Sequence, residues 1–207
     1  MSCKERKWIV GDTNGLTPLH EAARCGKLGC VPVEILKKYI VIQDKDGWTP
    51  LHAAALSRRL SDVPSSCLTS ENMTVKDKYG ETPLHYAVKQ GQLELVLEEV
   101  LTVENISIGD NAGVTPLHWA ALGGRLSQLP EAVLTPANLL IENASGESPV
   151  YYAVAGYTLE VFPLGLKFPE SVREVVGDEW WEKNQAVLRD KHKLDLIEED
   201  GMGLDLF

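Results

Sequence analysis

An all-α solenoid of helical repeats is the fold class that this 207-residue sequence predicts, and three observations predict it. First, Thr17-Pro18-Leu19-His20 recurs as Thr49-Pro50-Leu51-His52, Thr82-Pro83-Leu84-His85 and Thr115-Pro116-Leu117-His118, with an eroded copy at Ser148-Pro149-Val150-Tyr151. Successive starts lie 32, 33, 33 and 33 residues apart. Second, a turn signal precedes each copy: Asp12 to Gly15, Asp44 to Gly47, Asp77 to Gly80, Asp110 to Gly113 and Asn143 to Gly146. Third, an apolar pair at i, i+3 follows each copy: Leu28/Val31, Leu60/Val63, Leu93/Val96, Leu126/Leu129 and Leu159/Phe162. A repeating unit this short cannot bury that stripe alone, so neighbours must share one core.

The elements follow from residue chemistry. Thr or Ser before Pro is an N-cap before the first helical position: the hydroxyl accepts an orphan N–H, and Pro has none to satisfy. Ala22-Ala23, Ala54-Ala55, Ala87-Val88, Ala120-Ala121 and Ala153-Val154 fall one turn later and let neighbouring helices approach closely. Gly26, Gly91 and Gly124 end the first helix where left-handed backbone is needed, whereas Arg58 and Tyr157 stand in the equivalent places. Repeats two and five are therefore expected to have the least regular turns. Pro32, Pro64, Pro130 and Pro163 interrupt the second helix, since an interior proline costs about 3 kcal/mol. That predicts a single turn, a break, and a restart with proline near the new first position. The third copy, without proline from Leu93 to Leu101, is expected to keep a continuous second helix. Thr69, Thr102 and Thr135, each three residues before an Asn, are expected to cap one extra turn.

A 33-residue period with the phrase T-P-L-H-x-A resembles the ankyrin repeat, over about residues 12–168. The resemblance implies an ankyrin-type helical repeat solenoid, each unit a β-turn or hairpin loop followed by two antiparallel helices. The domains read as an N-terminal cap segment (1–11), repeats at 12–43, 44–76, 77–109, 110–142 and 143–168, C-terminal capping helices (169–193) and an acidic tail (194–207). The family's usual Gly-Ala-Asp-Val-Asn stretch is replaced throughout, which marks a distinct loop subtype. The resemblance also implies that His20, His52, His85 and His118 bond to backbone and tie turns together. A shared metal is excluded on distance: helix neighbours are about 8–10 Å apart, whereas zinc ligands sit about 2 Å from the ion.

In the family the turn tips and the inner face of the first helix form a concave binding surface. The matching positions selected for partner binding are Arg24, Lys45, Asp46, Trp48, Lys78, Tyr79, Glu81, Lys89, Gln90, Asn111 and Val114. Trp48 and Tyr79 are the strongest of these, because aromatic side chains dominate interface hot spots; packing between adjacent tips is the competing role. Tyr86, Trp119 and Tyr152 share one helix column and suit core packing better than ligand contact.

At the ends, Trp8, Ile9 and Val10 are expected to fold over the first repeat, with Lys4, Arg6 and Lys7 in water. Ser171 to Val176 and Asp178 to Leu194 read as two short helices whose Trp180 and Trp181 either close the stack or dock a partner. The tail is open between a solvated end and a short docking motif.

Composition narrows the function. The 30 acidic residues outnumber the 20 basic ones, for a formal charge of −10, and there is no Lys/Arg block of the kind nucleic-acid binders carry. No apolar run nears the roughly 18 residues that span a bilayer, and the start lacks a secretory apolar stretch. The four cysteines match no zinc spacing and suit small half-buried side chains in a reducing, cytoplasmic setting. No common catalytic signature occurs, and the residues outside the repeats are too few for a catalytic domain; an enzyme site near Asp178 and Glu179 is the weakest alternative. The reading is a monomeric, non-catalytic protein-interaction module or scaffold without cofactor or metal, binding a protein partner, with no nucleic acid or membrane. Its acidity favours a basic partner. A dedicated enzyme inhibitor, an immunity-type protein or a secreted effector using the same surface is the alternative.

Overall fold

The structure is a computed structural model that describes residues 3–156. Helix α1 (Cys3–Ile9) leads into a turn and α2 (Pro18–Arg24), and α3 (Val33–Tyr39) follows. The same seven-residue helix recurs as α4 (Pro50–Leu56), α6 (Pro83–Lys89), α8 (Pro116–Leu122) and α10 (Pro149–Ala155). Between them sit the one-turn helices α5 (Ser70–Met73), α7 (Val103–Ile106) and α9 (Pro136–Leu139). No strand occurs among the described residues. Helices α2, α4, α6, α8 and α10 pack side by side in chain order.

Each long helix starts as its sequence dictates. Thr17, Thr49, Thr82 and Thr115 are extended N-caps, each closing a capping box with the His three residues on. The Thr49 N–H donates to His52 Nδ1 at 3.0 Å, and the same bond recurs at Thr17, Thr82 and Thr115. Because Nδ1 accepts, the ring proton lies on Nε2, which donates across to the next turn: to the carbonyls of Trp48, Glu81, Val114 and Glu147 from His20, His52, His85 and His118. Each histidine therefore caps its own helix and staples it to the following unit.

The core is the shared stripe. Leu19, Leu51, Leu84 and Leu117 are fully buried, with Ala23, Ala54, Ala87 and Ala120 beside them. Leu28, Leu60, Leu93 and Leu126 supply the second layer. Ile9 is buried over the first unit and Trp8 packs against the core, while Val10 turns outward. Cys67 is buried, but Cys25 and Cys30 are exposed, so half-buried thiols are not what the fold provides.

Gly26, Gly91 and Gly124 end their helices at positive φ, and Arg58 adopts φ 57° in the same place with the same backbone bonds, so the second unit's turn is as regular as the others rather than less so. Thr69 and Thr102 cap α5 and α7, accepting from the backbone N–H groups of Asn72 and Asn105. The Asn138 N–H likewise donates to Thr135 Oγ1.

The second-helix expectation needs one correction, in the third copy. In every described copy the segment after the long helix is a single 3₁₀ turn, at Leu28–Cys30, Leu60–Asp62, Leu93–Leu95 and Leu126–Gln128. The third copy is broken like the others: Leu97, with no proline, takes φ −64° and ψ 142°, and Glu98–Val100 forms a second turn. The reason is the stack. Val96, Val100 and Leu101 must reach the same buried sites as Val63, Cys67 and Leu68, which only the broken path allows. Pro32, Pro64 and Pro130 stand directly before the first residue of the restarted segments, as their N-caps, in keeping with the expected restart. The expectations for Lys4, Leu159/Phe162, Tyr157, Pro163, the capping helices and the acidic tail fall outside the described residues or side chains.

Candidate functional site: the turn tips and the ring strip

The turns are built by one carboxylate or amide each. Asp44 Oδ1 accepts from the N–H groups of Asp46 and Trp48, both at 2.9 Å, and Asp77, Asp110 and Asn143 hold their turns identically. Gly47 sits at φ 78°, and a Cβ there would lie 3.0 Å from the Asp77 backbone, so only glycine fits between successive turns. Main-chain bonds join the tips: Lys45 N–H to Asn14 O, Lys78 N–H to Asp46 O, Asn111 N–H to Tyr79 O and Ala144 N–H to Ala112 O, at 2.8–2.9 Å. The tips thus form a fixed row, and the side chains on it are held on rigid backbone.

Beside that row runs a strip of rings. Trp48 stacks on His52 at 6.0 Å and meets Tyr86 edge-on at 5.3 Å. Trp119 meets Tyr152 edge-on at 6.1 Å. Lys89 joins the two halves: its ammonium lies 4.2 Å from the Trp119 ring centre and 5.5 Å from that of Tyr86, and it donates to Glu81 Oε1. Burial raises the Glu81 pKa, but the hydrogen bond from Lys89, with the Tyr86 hydroxyl nearby, outweighs it and holds Glu81 below its ordinary value. Burial also drives the Tyr86 phenol far upward. It stays protonated and donates to Asp77 Oδ2 at 3.2 Å.

The structure distributes the selected residues unevenly. Tyr79 is 56% exposed, with Lys78 over its ring at 4.9 Å and Lys78 paired to Asp46 at 2.8 Å. Lys45 and Asn111 are exposed on the tips, Asn111 donating to Lys78 O. Trp48 is half-buried and serves both roles, packing with Tyr86 and keeping one edge in water. Arg24 is exposed at the end of α2 and pairs only with Glu21, a contact worth little in water. Gln90 lies beyond the tips, at the end of α6, where it accepts from Arg58 at 3.1 Å. Val114 is a correction. It is buried at 8% and gives its carbonyl to His85, because its short side chain cannot reach outward as Trp48 does from the equivalent place.

Leu56, at the end of α4 and one of the concave-face positions that the family resemblance marks, is 41% exposed. One feature was missed by residue reasoning. Gln92 is buried and bridges units, donating to the Ala55 carbonyl and accepting from the Leu60 N–H at 3.2 Å. Its signal was slight: a neutral amide where Lys27, Arg59 and Arg125 stand in other copies. A shallow depression at the first turn, lined by Val10, Leu16, Thr17, Pro18 and Glu21, is separate from the strip. Among the described residues, no group of three or more His, Cys, Asp or Glu converges on a common point, and no helix is long and apolar enough to cross a membrane.

Repeated Thr-Pro-Leu-His caps, histidine staples and a row of bonded turns define a class of helical repeat protein. The family model of ankyrin repeats (3 copies) matches residues 3–64 and 65–133, together more than half the chain. The chain belongs to the ankyrin-repeat family, whose members are generally protein–protein interaction modules. A comparison with curated proteins gave no match.

Proposed function

We propose that the chain is a non-catalytic, monomeric, cytoplasmic binding module that docks a basic protein partner on the face made by its turn tips and ring strip. The single observation that carries this reading is the fixed tip row with Tyr79 projecting from it and the half-buried rings of Trp48, Trp119 and Tyr152 running alongside, backed by the buried Tyr86 ring. Aromatic side chains on rigid backbone lose little entropy when a partner covers them. The formal charge of −10 steers a basic partner and repels nucleic acid and anionic membrane. An inhibitor or effector role would use the same face, and a partner enzyme losing activity at one-to-one stoichiometry would single it out.

The test is affinity capture from a lysate of the source organism at low and moderate salt. Wild type is compared with the double substitution Tyr79→Ser/Leu56→Ser, which touches two exposed side chains and so spares the core. A protein held by wild type, released by the double variant and weakened by salt is expected. Equal retention by both proteins would remove recognition from this face.

A further inference from the structure

The centre of the ring strip holds a cation already, and that cation belongs to the chain itself. Lys89 leaves α6 at its last residue and lays its ammonium against the Trp119 face, with the Tyr86 ring beside it and the Glu81 carboxylate as its ion-pair partner. These are the three components of a cation-binding cage: a ring face, a second ring and a desolvated carboxylate. The two members of the pair differ in freedom. Glu81 is 13% exposed, and its backbone N–H and carbonyl are both engaged, with Asp77 and His52. Lys89 is 24% exposed and sits on a four-carbon stem at a helix end, so its ammonium can swing into water by giving up the Glu81 pair and the two ring contacts.

We propose that Lys89 is an exchangeable plug, and that the Glu81–Tyr86–Trp119 cage receives an arginine side chain of the protein partner. The inference rests on the proposed docking face and names the chemistry at its centre. Exchange is favourable because a guanidinium stacks on an indole and grips a carboxylate with two parallel N–H donors, whereas an ammonium does each less well and is better hydrated once released. The surrounding groups agree in sign. Asp77 faces the Tyr86 phenol, and Asp110 and Glu147 face Tyr152, whose ring meets Trp119. The Trp119 indole N–H, buried without a hydrogen-bond partner, is a built-in reporter of what occupies the ring.

The experiment is a titration of the protein with Nα-acetyl-arginine methylamide, followed by the Trp119 indole N–H resonance, with the leucine methylamide and matched sodium chloride as controls. Wild type, Lys89→Ala and Lys89→Ala/Glu81→Gln are compared. Removing the plug is expected to tighten arginine binding by about tenfold, and removing the carboxylate to abolish the gain. In wild type, the arginine probe should move the Lys89 side-chain resonances while salt does not. An unchanged affinity in Lys89→Ala, an equal response to the leucine probe, or motionless Lys89 resonances in wild type would each overturn the plug. The wild-type arm decides the question even if Lys89→Ala fails to fold. Partner capture that is lost in Tyr79→Ser/Leu56→Ser yet unaffected by Trp119→Leu would reject the cage and leave the docking face standing.

Discussion

Single residues carry more of this fold than their size suggests, because one side chain often closes two units at once. Gln92 is the clearest case: its amide satisfies a carbonyl at the end of α4 and an N–H at the start of the next turn, all inside the protein. Gln92→Ala strands the Leu60 N–H and leaves the Ala55 carbonyl with the Arg58 N–H at 3.2 Å, so chemical denaturation should show a loss of about 1–3 kcal/mol, whereas Glu94→Ala on the exposed side of the same turn should show almost none. The histidines act the same way and add a pH dependence. Burial lowers His85 from 6.5 to about 4, and it lowers His52 and His118 in the same direction. Protonating Nδ1 would set a new N–H against the Thr N–H it now accepts. Since the unfolded chain binds these protons first, stability is complete above 6.5 and falls as pH drops toward about 4, by on the order of 3 kcal/mol for His85 alone. Glu81, held below its ordinary value, extends the loss at the acid end. Denaturation midpoints measured across that window should fall with pH, and His85→Gln should flatten the curve. A midpoint that rises on acidification would contradict the staple.

At the scale of elements, the long helices and the Thr-capped one-turn helices were legible, and the second segment of the third copy was misjudged. Thr-Pro states its own cap and start, so α2, α4, α6 and α8 begin where the residues say. The segment from Leu93 to Leu101 holds no breaker, and local propensity alone favours a continuous helix there. Neighbouring units overrule it, since both flanking stripes demand a break at Leu97. The candidate site shows the same division. Tyr79 and Lys45 could be placed on the tips because the turn phase fixes them, but the depth of Val114 depends on side-chain length and on what packs opposite, which a periodic pattern does not carry. A direct check follows. Leu97 already has a proline-like φ of −64°, and Val96 before it is extended. Leu97→Pro should therefore change stability by less than about 1.5 kcal/mol, the lost packing being partly offset by a stiffer unfolded chain. Ala87→Pro, inside α6, should cost about 3 kcal/mol or more, and paired melting curves of the two variants would show the contrast. A Leu97→Pro protein as damaged as Ala87→Pro would mean the segment is helical after all.

For the whole molecule, the stack and the site are one construction. The bonds that join tip to tip make the binding row rigid, and the histidines that join helix to turn hold the ring strip beside it. A partner then meets a surface that needs little reordering, under a long-range field set by a formal charge of −10. The most direct measurement of that claim places a photo-crosslinking amino acid at Tyr79 or Leu56 on the proposed face, and at Glu98 or Glu131 on exposed turns outside it. After irradiation in the native cell, positions 79 and 56 should capture the same protein, and 98 and 131 should not. Capture confined to 98 and 131 would contradict the account and move recognition to the opposite side of the stack.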